Sequence, residues 1–155
     1  MMKYIRILLI FSLLLLSMVS WADNKPLDSE SIQIIVNAQS ELTQLNRKQI
    51  MSLFLGRSTR FPNGKSTKAF DNKIGSALRD NFFEWLTRKS ISDIDAYWAR
   101  LRYSGRVYPP KVIDNLDDIL ETVRQNQSAI AYIRQQDPEQ LAEQGITVVH
   151  TLRKR

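Results

Sequence analysis

The residues of this chain best suited to chemistry stand around the dipeptide Gly75-Ser76. An apolar residue follows at every third or fourth position, which predicts a helix over 76–88. Backbone N–H groups in the first turn of a helix have no intrahelical partner, and the helix dipole places partial positive charge there. The segment therefore predicts a site for an oxyanion such as phosphate, although an ordinary strand-turn-helix connection can contain the same short motif.

Arg79 lies one turn into the same predicted helix, three residues after Ser76. Residues three apart share a helix face, so its guanidinium could add a bidentate donor to the loop. A surface ion pair with Asp80 or Glu84 explains this arginine equally well.

A second candidate segment, 37–40, follows the first predicted strand. In an open α/β sheet, ligands bind beyond the carboxyl ends of the strands, where loops lead into helices. This segment and the one at 71–76 both offer short polar side chains and backbone donors. We therefore count Asn37 among the candidate ligand-binding residues.

Groups for catalysis are scarce. The sequence has no Cys and a single His, His150, which lies in an apolar run near the C-terminus. No serine stands in a Gly-x-Ser-x-Gly pattern, and no group of His and carboxylates has the spacing of a metal site. We accordingly predict a binding protein and not an enzyme, with no metal and no cofactor.

The elements that must position these residues alternate between strands and helices. Apolar β-branched runs predict strands, and apolar residues at helical spacing behind Asn or Ser caps predict helices. Strands are predicted at 31–37, 67–71, 128–133 and 146–152, and helices at 45–55, 76–88, from 92 with Ser92 and Asp95 as its capping pair, 115–126 and 138–144. This order predicts an α/β fold, a single small domain whose mixed sheet is flanked by helices.

The N-terminus has the pattern of a secretory signal peptide at 1–22. Lys3 and Arg6 precede an apolar run, and Ser20 and Ala22 are the small residues of a cleavage site. An uncleaved membrane anchor is the alternative, but the run is shorter than the ~20 residues that a spanning helix needs. Since the chain has no Cys, it carries no lipoprotein signal. We predict a periplasmic protein with a flexible leader at 23–30 and one domain at 31–155.

The charge of the chain argues against nucleic acid as a partner. The formal net charge is +6, with positive and negative residues intermixed, and the C-terminal run Arg153-Lys154-Arg155 is the main basic cluster. A nucleic-acid-binding domain would carry a basic stripe with interleaved aromatic residues. A small anion, or an anionic membrane surface, fits this charge better.

Several short motifs occur in an order that resembles a known family. They are Ile-Ile-Val-Asn at 34–37, Leu-Phe-Leu-Gly-Arg at 53–57, Phe-Pro-Asn-Gly-Lys at 61–65, Gly-Ser-Ala-Leu-Arg-Asp-Asn-Phe at 75–82, Tyr-Trp-Ala-Arg-Leu at 97–101, Gly-Arg-Val-Tyr-Pro-Pro at 105–110 and Ala-Ile-Ala-Tyr-Ile at 129–133. The set, which covers nearly all of 31–152, resembles short periplasmic proteins related to the phosphate-binding component of phosphate ABC transporters.

This resemblance implies one lobe of a type II periplasmic binding protein, with phosphate or another oxyanion held at a helix N-terminus. By position, Gly75 and Ser76 match the phosphate loop of the family, and Ala77 replaces a further Gly. Asn72 and Ile74 stand where the full-length phosphate binders have an Arg and an Asp. The candidate ligand-binding residues are therefore Asn37, Asn72, Gly75, Ser76, Ala77 and Arg79.

Two functions follow from the sequence. One is an exported solute-binding protein that takes phosphate or another oxyanion, as a transport accessory or a sensor, with an ABC transporter or another envelope protein as its partner. The alternative is an envelope protein-interaction module that has kept the fold and lost the ligand. The replaced loop residues and the single lobe favour this alternative.

Overall fold

Residues 31–105 and 107–154 of the chain are described by a computed structural model. The predicted signal peptide and leader lie outside these residues. The strands are β1 (Ser31–Asn37), β2 (Lys68–Asn72), β3 (Lys111–Ile113), β4 (Ala129–Arg134) and β5 (Ile146–Arg153). The helices are α1 (Arg47–Phe54), α2 (Ala77–Thr87), α3 (Ile91–Ser104), α4 (Leu116–Gln125) and α5 (Pro138–Glu143), and a short 3-10 helix spans Ala38–Ser40.

The five strands form one mixed sheet in the order β3-β2-β4-β1-β5. β2 runs parallel to both β3 and β4. β1 runs antiparallel to both of its neighbours, β4 and β5. All of its residues are buried, as the continuous apolar run in its sequence predicts for a central strand.

Helices cover both faces of the sheet and divide the core into two clusters. In β4, alternate side chains point to opposite faces. Ile130 and Tyr132 join the cluster built with α1, α2 and α3. Ala129, Ala131 and Ile133 join the smaller cluster with α4 and α5. The predicted α/β domain with a mixed sheet and flanking helices is therefore confirmed.

The predicted start of one helix was wrong, and one strand was not predicted. α3 begins at Ile91, and its capping box pairs Ser90 with Asp93, two residues earlier than the predicted pair Ser92 and Asp95. Strand β3 was not predicted at all, because it has only three residues and lies at the edge of the sheet with little burial. The cap of α1, in which Asn46 and Gln49 form a capping box, follows the sequence pattern.

Within the described part of the chain, no helix is both long and apolar enough to cross a membrane.

Candidate functional site

The loop between β2 and α2 has the geometry that the Gly-Ser motif predicts. Ser76 is the N-cap of α2, and its hydroxyl accepts a hydrogen bond from the Arg79 backbone N–H at 3.3 Å. The Ser76 N–H donates to the carbonyl of Lys73 at 3.1 Å, which closes a tight turn. Gly75, with φ of +78°, supplies the left-handed conformation that this turn needs, and open space surrounds it.

Two backbone donors at the start of α2 stay available. In the described residues, the N–H groups of Ala77 and Leu78 donate to no protein acceptor, as expected for the first turn of a helix. Ala77 is exposed and Ser76 is half-buried, so the donors face solvent. Of the predicted loop residues, Gly75, Ser76 and Ala77 are therefore brought together at an open helix N-terminus.

The sequence predicts that Arg79 either donates to the loop or forms a surface ion pair, and the structure shows neither arrangement. Its Nε donates to Asp71 Oδ2 and its Nη2 donates to Asp95 Oδ1, each at 2.9 Å. The residue is only 5% exposed, and the guanidinium lies 5.4 Å from the centre of the Phe83 ring. The predicted surface pair with Asp80 or Glu84 was wrong, because the side chain turns under the loop toward the end of β2.

The Asp71–Arg79 pair is held in a polar cluster that is buried except for Asp95. Burial raises the pKa of Asp71 above its ordinary value, while hydrogen bonds from Tyr132 and Arg79 act in the opposite direction. Burial alone lowers the pKa of Arg79, but its hydrogen bonds to Asp71 and Asp95 outweigh that effect and raise the pKa. Since two carboxylates offset one guanidinium, the cluster brings no surplus positive charge to the loop.

Tyr132 joins this cluster to the centre of the sheet. Its hydroxyl donates to Asp71 Oδ1, and its ring stacks on Phe82 with 3.6 Å between the ring centres. Burial and the neighbouring Asp71 carboxylate raise the Tyr132 pKa well above its ordinary value, so the phenol stays protonated as a donor. The Asn72 side chain forms a second hydrogen bond to this residue, since its Nδ2 donates to the Tyr132 carbonyl at 2.9 Å. The amide of Asn72 therefore fixes the loop to β4.

Asn37 lies at the opposite end of the sheet from the Gly75 loop. β1 runs antiparallel to β4, whereas β2 runs parallel to it, so the carboxyl ends of β1 and β2 point in opposite directions. The Asn37 amide is buried and donates to the carbonyls of Val123 at 3.0 Å and Arg124 at 2.7 Å. The two candidate segments therefore lie at opposite ends of the sheet, which the sequence could not show because it does not reveal the direction of β1.

The sequence analysis included Asp71 in the candidate segment 71–76 but found no partner for it, and it did not identify Tyr132 as part of this site. The available signal was a carboxylate directly after Phe70 at the end of a predicted strand, since a charge that is buried there requires a partner. Its partners lie 8 residues away at Arg79 and 61 residues away at Tyr132, so only the fold brings them together. In the described residues, no group of three or more His, Cys, Asp and Glu side chains has the arrangement of a metal site.

Comparison with known proteins relates the fold to phosphate receptors. No protein-family model and no curated protein matches the sequence. An ABC-type phosphate transport receptor from Vibrio cholerae matches with a TM-score of 0.56 and 16% identity, over 77% of this chain and 45% of that chain. PstS from Borrelia burgdorferi matches with a TM-score of 0.60 and 10% identity, over 77% of this chain and 46% of that chain.

A third solved structure holds a ligand. It is the phosphate ABC transporter substrate-binding protein with bound phosphate from Clostridium perfringens, with a TM-score of 0.57 and 19% identity, over 79% of this chain and 46% of that chain. The chain thus spans less than half the length of the solved structures that it matches. These likenesses confirm that the chain has a PstS-like fold, over a stretch that corresponds to less than half of each of those proteins.

Proposed function

We propose that this protein is an exported solute-binding protein that takes phosphate or another small oxyanion at the N-terminus of α2. The supporting observation is the pair of free N–H donors, on Ala77 and Leu78, at the carboxyl end of β2. In α/β sheets, ligands bind beyond the carboxyl ends of the parallel strands, and β2 runs parallel to both of its neighbours here. The chain shares this fold with the phosphate transport receptor from Vibrio cholerae and with the Clostridium perfringens protein that holds phosphate.

The ligand is held mainly by backbone groups in this proposal. The Ser76 hydroxyl accepts from the Arg79 N–H and can still donate its own proton to an anion. The Arg79 side chain positions the loop through Asp71 and does not supply a net charge. A site of this kind, open to water on one side, discriminates weakly between oxyanions, and we expect a dissociation constant of about 1 mM.

Replacing Ala77 by Pro tests this site without disturbing the helix. Ala77 is the first residue of α2, where Pro is tolerated, and Ser76 already has the extended backbone that a following Pro requires. The change removes one proposed donor and leaves the fold intact. We expect NMR or calorimetric titration with phosphate and with sulfate to show binding by the wild type that weakens about threefold to tenfold in the variant.

Leu116→Pro is the matched control, because Leu116 is the exposed first residue of α4 and follows an extended N-cap, Asn115. It should bind phosphate as the wild type does. Absence of any binding at millimolar phosphate and sulfate, or equal affinity in Ala77→Pro, would refute the proposal.

Residues 1–22 enter the proposal as a cleaved signal peptide, 23–30 as the leader and 31–155 as the binding domain. The place of action is then the periplasm, and an ABC transporter or a sensor of the envelope is the partner that would use the bound anion. Mass spectrometry of the exported protein tests the cleavage, with a mature N-terminus expected at Asp23.

A second candidate function is the envelope interaction module, which one observation favours. Ile74, at the tip of the loop, is 67% exposed, and Leu116 is exposed after the neighbouring strand β3. The parallel pairing of β2 with β3 places both at the same edge of the sheet. A pull-down with wild type and Ile74→Asp distinguishes the two functions. A protein captured only by the wild type supports the module, and equal capture or none contradicts it.

A further inference from the structure

A cationic cleft runs along the side of α2, and we name it the Trp85 cleft. It consists of two adjoining cavities of about 370 Å³ and 300 Å³ that share Trp85 and Lys154 in their walls. Each volume is within the range, or at the lower end of the range, of small-molecule sites. The half-buried indole of Trp85 therefore separates two compartments of one continuous cleft.

The walls of the cleft carry many more positive than negative side chains. Five cationic residues line it, and Glu84 is the one carboxylate among the lining residues. The cations are Arg47, Arg88, Arg134, Arg153 and Lys154. They come from α1, the end of α2, the end of β4 and the end of β5. The sequence shows only the C-terminal part of this set as a cluster, and the fold assembles the rest around it.

The guanidinium of Arg47 is fixed at the wall of the cleft. It donates to the carbonyl of Leu86 at 2.9 Å and to the carbonyl of Trp85, both near the C-terminus of α2. These bonds satisfy carbonyls that a helix end leaves unpaired, and they hold a positive charge beside the indole. Arginine in such a fixed orientation loses less freedom when it binds an anion.

Arg88 occupies a backbone conformation that costs a side chain some energy. It caps α2 with φ of +60°, in the left-handed region where Gly is usual. The position gives a useful variant, since Gly fits this conformation better than Arg does. Loss of binding in Arg88→Gly therefore has to come from the missing guanidinium and not from a weakened fold.

We propose that the Trp85 cleft binds a ligand that carries two or more phosphate groups. Cations stand in both compartments, so a single phosphate would satisfy only part of the set. The guanidinium group of an arginine can donate two parallel hydrogen bonds to two oxygens of one phosphate. The indole offers a flat apolar surface to the part of the ligand that joins the phosphates. Leu78, whose N–H is a proposed donor at the Gly75 loop, also lines the smaller cavity. The cationic residues of the cleft belong to other segments, and this proposal does not depend on the function proposed for the loop.

The test uses the mature protein and two probes that represent the two sources of such groups. Soluble tripolyphosphate is titrated by calorimetry, and vesicles of phosphatidylcholine with or without cardiolipin are tested by sedimentation. We expect saturable binding of at least one probe that weakens as salt rises. Binding of tripolyphosphate identifies a soluble ligand, and binding only of cardiolipin vesicles identifies a lipid headgroup; both support the proposal.

Variants assign the binding to the cleft. Arg134→Gln, Lys154→Gln and Arg88→Gly should each weaken it by about threefold to tenfold, while the melting temperature of Arg88→Gly stays equal to that of the wild type or rises. Glu84→Gln should tighten binding, which a damaged fold would not do. Lys111→Gln, an exposed lysine at the start of β3, is the charge-matched control and should bind as the wild type does.

Binding of neither probe would overturn the proposal, and so would equal affinity in the cleft variants and the control. These outcomes are separable from those at the Gly75 loop. Ala77→Pro tests inorganic phosphate at the helix N-terminus, whereas the cleft variants leave that terminus unchanged.

Discussion

The hydrogen bonds of the Asp71 carboxylate determine which groups of the candidate site remain available to a ligand. It is 3% exposed and receives hydrogen bonds from the side chains of Arg79 and Tyr132 and from the Asn72 backbone. A buried carboxylate with these partners fixes the loop above it, but it also engages the guanidinium of Arg79. The proposed anion site is thus left to backbone donors and the Ser76 hydroxyl.

Breaking this pair on one side should destabilise the protein strongly. Arg79→Met leaves the Asp71 carboxylate buried without its cation, so we expect a loss of about 3 to 5 kcal/mol in the free energy of unfolding. Urea denaturation measures the loss. The double variant Asp71→Asn with Arg79→Met removes both charges and should lose less than Arg79→Met alone. A loss below about 1 kcal/mol in the single variant would mean that the pair is not buried in solution.

His150 should make the stability of the protein depend on pH. Burial lowers its pKa from the ordinary value of 6.5, the positive charge of Arg47 lowers it further, and a hydrogen bond with the Leu45 backbone acts against both. The folded state therefore prefers the neutral imidazole. Its contribution to stability is complete above pH 6.5 and is lost as the pH falls through the lower folded-state pKa.

Comparing urea midpoints at pH 7.5 and pH 5 in the wild type and in His150→Gln isolates this effect. The wild type should lose more stability between the two pH values than the variant does. An equal loss in both proteins would show that other groups cause the pH dependence.

At the scale of helices and strands, the sequence predicts where the elements lie but not how they are oriented relative to one another. The apolar spacing in α2 and the buried β-branched run of β1 are local signals, and they indicated these elements correctly. Strand direction is not a local property, so the antiparallel β1 separated Asn37 from the loop. The partners of Arg79 could not be predicted for the same reason, because Asp71 and Asp95 belong to two other elements.

The connection after α1 contains a glycine that packing and backbone conformation both require. Gly56 has φ of +67°, and a Cβ at this position would lie 2.5 Å from Val107 Cγ1 and 3.0 Å from Trp98 Cη2. Gly56→Ala should cost about 2 to 4 kcal/mol of stability, from the left-handed strain and the overlap together. Thermal or urea unfolding measures this cost.

Gly105→Ala is the control for backbone strain alone. Its φ of +65° is nearly the same, but an added Cβ would meet no atom within 4 Å. We expect it to cost about 1 kcal/mol. If both substitutions cost the same, the close approach of Val107 to Gly56 is not present in solution.

The molecule as a whole is one lobe of a fold that its structural relatives use as part of a longer chain. Each of the matched structures is more than twice as long as the stretch they share with this protein, with 42% to 46% of their length covered. In the described residues, Gly75 and Ala77 at the loop and Arg153 and Lys154 in the cleft are exposed to solvent.

The position of β1 in the sheet has a consequence for the order in which the chain folds. β1 is the first strand in the sequence, yet it lies between β4 and β5, which are the last two. The centre of the sheet can close only after residues near 153 have been synthesised. Contacts over such long separations slow folding. We expect the newly made chain to stay unfolded for longer than a protein with local strand pairing. In the export proposed for this protein, the unfolded chain is the form that would pass through a translocation channel.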